Sequence, residues 1–338
     1  MTVFENQITT LPTPCLVVDA EAFAHNVAAM AAVNPGLKLR PHVKAFKCTE
    51  LARRLAANGH TAFTCATLGE VAGMIRADLG DDLLLANQTL NVDLLREVAA
   101  MDGRVAVAVD STETVDVAVA AGIGEVFIDV NVGLPRCGCA PEDAGPLADY
   151  ARNAGLSVRG AMGYEGHLMM VEDRAERIDK VGESMAVLAQ AAADIGTDLI
   201  SGGGTGTFDT NTVATEIQAG SYTLMDTHYD TLDLPFRQAL WVEATVISMN
   251  REQGYIVADA GLKSLGMDHG KPSWALGKVW FCSDEHVTMA PSSIDDWAVG
   301  DRVRLAPAHV DPTVAKHERM WLLDGESVTE WPVDLRHW

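Results

Sequence analysis

The chain has 338 residues, with 47 acidic against 25 basic side chains and a formal net charge of −22. That balance disfavours binding to phosphate backbones or anionic membrane surfaces. Apolar residues make up 48%, and no run approaches the roughly 20 apolar residues that span a bilayer.

The first ten residues carry neither a basic n-region nor an apolar h-region, so a cytoplasmic location is expected. Between residues 13 and 236, short apolar runs alternate with helix-like segments. The strand candidates are 15–19, 38–43, 62–67, 82–87, 104–110, 125–131, 156–164, 199–203 and 221–226. Stretches rich in Ala, Leu, Glu and Arg separate them, among them 49–58, 68–79, 92–101, 141–154 and 172–195. Such alternation predicts a parallel sheet, and its length suits a closed (β/α)8 TIM barrel. A Rossmann sheet would need GxGxxG after the first strand, and none is present. Residues 237–338 change texture. Runs 241–249, 255–259, 278–281, 287–290 and 302–307 alternate like β-strands between glycine turns. They predict a C-terminal antiparallel β domain, joined by residues 1–12. The six cysteines are scattered, and Cys137-Gly138-Cys139 lacks the spacing of a redox or zinc motif, so they read as reduced thiols.

Six segments carry candidate chemistry. LRPHVKAFKC (39–48) reads as a strand delivering Lys44 to its C-terminal end, the catalytic face of such barrels. A lysine there can form a Schiff base, or merely solvate a loop. SGGGTGT (201–207) and QAGSY (218–222) can close backbone N–H groups around a phosphate, or be tight turns without a ligand. DVNVGLPRCG (129–138) places Arg136 on a strand-end loop, either as a cation beside a phenolate or carboxylate or as a surface residue. GYEGH (163–167) puts His167 beside Tyr164, where it can serve as a general base. In AHVDPT (308–313) an extended backbone would send His309 and Asp311 to one side. That N,O pair could hold Mn²⁺ or Mg²⁺, or be a surface pair.

These segments, with TPCLVVD (13–19), QAGSYTLMD (218–226) and DAGLKSLGMD (259–268), resemble the D-threonine aldolase and D-serine dehydratase family across nearly the whole chain. Its members are fold-type III pyridoxal 5′-phosphate (PLP) enzymes with an alanine racemase-like barrel and a C-terminal β domain. The resemblance implies that Lys44 carries the Schiff base with PLP. Arg136 would sit near the phenolic oxygen, with Tyr164 in the cofactor-binding set. Gly203, Gly204, Thr205, Gly220 and Ser221 or Tyr222 would hold the phosphate. His309 and Asp311 would bind the metal, and His167 would act on the substrate hydroxyl. Gln218 aligns with the arginine that faces the pyridine nitrogen in the alanine racemase branch.

HxD is the aldolase branch's pattern, whereas the dehydratase branch has HxC. The resemblance therefore implies a lyase: PLP- and metal-dependent retro-aldol cleavage of D-β-hydroxy-α-amino acids to glycine and an aldehyde, by a homodimer. Dehydration of D-serine or D-3-hydroxyaspartate, amino-acid racemisation, and non-catalytic PLP binding are the alternatives. The chain departs from the family at Phe46, where histidine is usual.

Overall fold

The computed structural model describes residues 10–325 and 327–336. Its strands in chain order are β1 (Cys15–Asp19), β2 (Ala62–Cys65), β3 (Asp82–Leu85), β4 (Val105–Val109), β5 (Glu125–Asp129), β6 (Ser157–Gly163), β7 (Ile200–Gly202) and β8 (Glu216–Ile217). There follow β9 (Leu240–Asn250), β10 (Tyr255–Ala258), β11 (Gly277–Cys282), β12 (Val287–Pro291), β13 (Arg302–Leu305), β14 (Arg319–Asp324) and β15 (Ser327–Pro332).

One compact unit comprises residues 30–44 and 51–220. Within it β2 to β8 lie side by side in chain order, each parallel to the next. Residues 39–42 close the ring. Leu39 bridges Ile217 on one side and His42 bridges Thr64 on the other, both parallel. Pro41 sits in this eighth stave; it lacks an N–H but its carbonyl accepts from Thr64. The missing donor explains why a predicted strand over 38–43 is held by isolated bridges instead of a ladder. The strands read as continuous apolar runs because both faces are covered: all five residues of β4 are buried. Inside the ring Leu84, Ala106, Ala108, Phe127 and Met162 form the core. Gly160 is required there, since a Cβ would fall 2.7 Å from the Phe127 ring.

Helices cover the outside, and their ends carry ordinary stop and start signals. Thr67 and Glu70 form a reciprocal capping box, and Gly122 and Gly196 end their helices in the left-handed conformation. Among the described residues, no helix is long and apolar enough to cross a membrane.

The N-terminal mouth of the barrel is plugged by charge. Arg40, 2% exposed, donates to Glu216 at 2.8 Å and to both carboxylate oxygens of Asp82 at 3.1–3.2 Å. Arg159 grips the same Asp82 at 2.7 and 2.9 Å and reaches Glu125, which Arg104 also holds. Asp82, Glu125 and Glu216 each open their strand, so the network ties together the starts of β3, β5 and β8. Burial alone would raise the Asp82 carboxyl, but the hydrogen bonds from Arg159 and Arg40 outweigh it and hold it well below the usual carboxylate range.

The second unit comprises residues up to 29, 45–50 and 221–336. Its sheet runs β11-β12-β10-β9-β1-β14-β15, with β13 beside β9. Two expectations are corrected here. Segment 15–19 forms a strand, but in this sheet and not among the barrel strands. It pairs antiparallel with β9 and parallel with β14. Its run of buried residues suits any central strand, so its pattern does not say which sheet it joins. Segment 221–226 contains a 3-10 turn, Ser221–Thr223, where a strand was predicted; the last barrel strand is β8. The expected division at 13–236 and 237–338 accordingly differs from the compact units. All six cysteines are free.

Replacing Arg40 with Met takes the guanidinium away from buried Glu216 and leaves Asp82 to Arg159, and we expect a loss of about 3–5 kcal/mol in denaturant unfolding at pH 7. Equal midpoints for the two proteins would refute this. The lowered Asp82 carboxyl contributes stability in full above its unfolded pKa of about 4 and loses it as pH falls through the lower folded value. The stability gap between wild type and Asp82→Asn should therefore shrink when unfolding is measured at pH 3 instead of pH 7.

Candidate active site

In the parallel barrel, every residue that follows a strand emerges at the same mouth. Lys44 follows the closing stave in a 3-10 turn, Val43–Ala45, half-buried between wholly buried Val43 and Ala45. Phe46, two residues on, is also wholly buried.

The loops after β5 and β6 interlock. The exposed Arg136 guanidinium lies 5.4 Å from the centre of the Tyr164 ring. His167 stands on the turn Gly166–Leu168, its imidazole lying against Gly133. A Cβ at Gly133, whose φ is +123°, would sit 2.9 Å from that ring. Glycine at 133 is what lets the histidine approach the arginine loop. Arg136, Tyr164 and His167 are thus brought together.

The recess beneath Arg136 and Tyr164 is also lined by Asn131, Cys137 and Asp129. Burial pushes the Asp129 carboxyl up to about 6, opposed by a 2.7 Å hydrogen bond from Gln88 and reinforced by nearby Asp110. Asp129 closes β5, and nothing in the linear pattern announces that it is buried.

The glycine turn after β7 is built on a residue that sequence reasoning passed over. Glu165 is wholly buried, and its carboxylate accepts from the Gly203 N–H at 3.1 Å, Thr207 Oγ1 at 2.7 Å and Asn211 Nδ2 at 2.9 Å. The Gly204 N–H donates to Thr207 Oγ1 at 3.2 Å. The amides of Gly203 and Gly204, expected as phosphate donors, instead donate to Glu165 and Thr207. Part of the glycine requirement is packing: a Cβ on Gly204 would lie 2.8 Å from Met169 Sδ. Thr205 and Gly220 are buried in the same two turns. Gln218 turns its amide to Ser201 Oγ at 2.8 Å. The acidic residue between two glycines in GYEGH was the available signal for Glu165.

The other unit carries the remaining candidates. Ser221 Oγ donates to Asp311 Oδ1 at 3.2 Å. Tyr222 is wholly buried with its ring 5.5 Å from that of Phe236, and burial pushes its phenol up. His309 and Asp311 do not lie on one extended segment, contrary to expectation. His309 is extended but caps the helix Val310–Ala315, so Asp311 already lies in the first turn. Pro312 suits that turn because no helical acceptor awaits its missing N–H. Asp226 organises the surroundings by accepting from the N–H groups of His228, Tyr229 and Val310 at 2.8–3.1 Å.

The partner of His309 is Asp268, whose Oδ2 lies 2.6 Å from Nδ1. His269 stacks on His309 with ring centres 4.0 Å apart, and His228 packs on His269 at 4.2 Å. Burial and then nearby His309 push His269 below the ordinary histidine value. Asp268, His269 and His309 place ligand atoms within 4.8 Å of one another. Asp268 closes the quoted segment DAGLKSLGMD, and His269 is the next residue along.

Comparison with known proteins places the chain in a family. Residues 18–227 match the family "Alanine racemase, N-terminal domain", and residues 239–323 match the "Putative serine dehydratase domain". A D-threonine aldolase from Arthrobacter sp. is 32% identical over 96% of this chain and 92% of its own length. A 3-hydroxy-D-aspartate aldolase from Paracoccus denitrificans (strain Pd 1222) is 29% identical with the same coverage. The crystal structure of D-threonine aldolase from Filomicrobium marinum superposes with a TM-score of 0.90 at 30% identity, covering 97% of this chain and 96% of that one. The chain therefore belongs to the D-threonine aldolase and D-serine dehydratase family, lyases built on the alanine racemase barrel.

Proposed function

We propose that the protein cleaves D-β-hydroxy-α-amino acids, D-threonine among them, to glycine and an aldehyde, with PLP and a divalent cation as cofactors. The observation that carries this reading is the shared barrel mouth: Lys44 leaves its stave at the same end as Arg136, Tyr164, His167 and the glycine turns. An amine, a guanidinium, a phenol and amide-rich turns suit an aromatic aldehyde bearing a phosphate. When bound, PLP draws electrons from the substrate's α-carbon. Lys44 would hold it through its amine, with Arg136 and Tyr164 beside the ring. Thr205, Gly220 and Ser221 would hold the phosphate, while Gly203 and Gly204 shape the turn.

His167 would take the proton of the substrate's β-hydroxyl. Its exposed imidazole rests on Gly133 and has room to turn toward a ligand. A cation held by His309 with Asp268 or Asp311 would lower the pKa of a bound hydroxyl. The family resemblance supports a homodimer acting in the cytoplasm, without nucleic-acid or membrane partners. One observation favours a second reading, dehydration to a 2-oxo acid and ammonia: residues 239–323 match the serine dehydratase domain.

D-Threonine should yield glycine and acetaldehyde with the PLP-loaded protein. Activity should be lost on EDTA treatment and return with Mn²⁺, and L-threonine should stay intact. Release of a 2-oxo acid and ammonia would establish the dehydratase reading instead. His167→Ala should lower kcat about 10²–10⁴-fold and leave the cofactor's absorption band in place. Lys44→Ala should abolish that band as well as turnover. A Lys44→Ala protein that keeps the wild-type spectrum would place the cofactor elsewhere.

A further inference from the structure

We propose that His269 joins His309 and Asp268 in holding one divalent cation, and that this second imidazole makes the site select late first-row transition metals over Mn²⁺ and Mg²⁺. The inference deepens the metal-dependent reading above and rests on it for its setting.

The argument is geometric. His309 Nδ1 and His269 Nε2 both approach the same oxygen, Asp268 Oδ2, at 2.6 and 3.8 Å. All three residues offer ligand atoms within 4.8 Å of one another. Ligands about 2.0–2.2 Å from one metal ion stand up to about 4.4 Å apart, so modest rotation brings these atoms to a common centre. The His269 side chain is 35% exposed, which leaves its ring room to rotate. His228, packed on its ring, limits how far it strays. Both flanking loops are fixed from within, because Asp226 holds the backbone at His228 and at Val310.

Donor chemistry then sets selectivity. One imidazole with carboxylates and water suits Mn²⁺ or Mg²⁺, the choice expected from the His309 and Asp311 pair alone. A second imidazole adds a softer donor, and affinity for nitrogen ligands rises along the series from Mn²⁺ to Co²⁺, Ni²⁺ and Cu²⁺. Asp311, hydrogen-bonded to Ser221, remains near enough to influence His269.

The test reads binding without substrate. PLP-loaded, EDTA-treated protein is titrated with Co²⁺ and with Mn²⁺ by calorimetry, and the visible Co²⁺ spectrum is recorded. Wild type, His269→Ala, His269→Gln and, as the positive control, His309→Ala are compared at equal thermal unfolding midpoints. His269→Ala should weaken Co²⁺ binding at least about 10-fold and alter its spectrum, while Mn²⁺ binding changes less than about 3-fold. Unchanged Co²⁺ affinity and spectrum in both His269 variants would overturn the proposal, as would wild type binding Mn²⁺ as tightly as Co²⁺. Turnover separates the two readings. A His269-dependent Co²⁺ site in a protein that releases no aldehyde upholds the site and overturns the aldolase function. Aldehyde release with His269-independent binding does the reverse.

Discussion

The barrel depends on a buried guanidinium. Arg40 lies in the one stave that has no ladder of its own, and its contacts with Glu216 and Asp82 reach a neighbouring strand and one further round the ring. A buried ion network is costly to desolvate, and it stabilises only because every charge is paired. Here two arginines share Asp82, and the remaining acids have their own partners. Four residues after Arg40 the chain delivers Lys44. Fixing the stave at its lower end therefore sets the height and direction at which the lysine appears.

Acids also set the loops at the working ends of both units. Glu165 gathers donors from the glycine turn, Asp226 gathers three backbone N–H groups around the histidine cluster, and Asp129 is linked to Gln88. Glu165 and Asp226 thereby organise backbone N–H groups that lie outside regular ladders. The reactive candidates, by contrast, keep some exposure: Lys44 and His309 are half-buried, while Arg136 and His167 are exposed. The division is physical. Groups that shape the site are buried and saturated with hydrogen bonds, and groups that meet a ligand are left accessible.

Local pattern revealed the barrel, because each βα unit repeats the same period change from strand to helix. It also put Lys44, Arg136 and His167 on segments that follow strands, since a strand end followed by a loop can be read from spacing, while the roles proposed for them rest on the family resemblance. It failed where tertiary pairing decides. Cys15–Asp19 is a good strand for either sheet, and only its pairing with β9 and β14 settles which. β14 and β15 fall outside the predicted strands because neither alternates: β14 is an apolar run of four residues between Arg319 and Asp324, and β15 mixes polar and apolar residues without a period of two. The helix starting at Val310 overrode the extended reading of His309 and Asp311. The Asp268–His269–His309 grouping joins positions 41 residues apart, a separation that no local period reports.

The proline stave has a consequence for how the chain assembles. Residues 39–42 find one flank in β2, close in sequence, and the other only in Ile217 and Ala219. Arg40 and Glu216 are 176 residues apart. Closure entropy grows only logarithmically with such a span, but that loop must be ordered before the contact repays it. During synthesis the ring stays open until residue 219 has left the ribosome, with the 39–42 edge exposed on one side. Barrel closure is thereby a late event, and the mouth carrying Lys44 takes shape only when nearly two thirds of the chain has emerged.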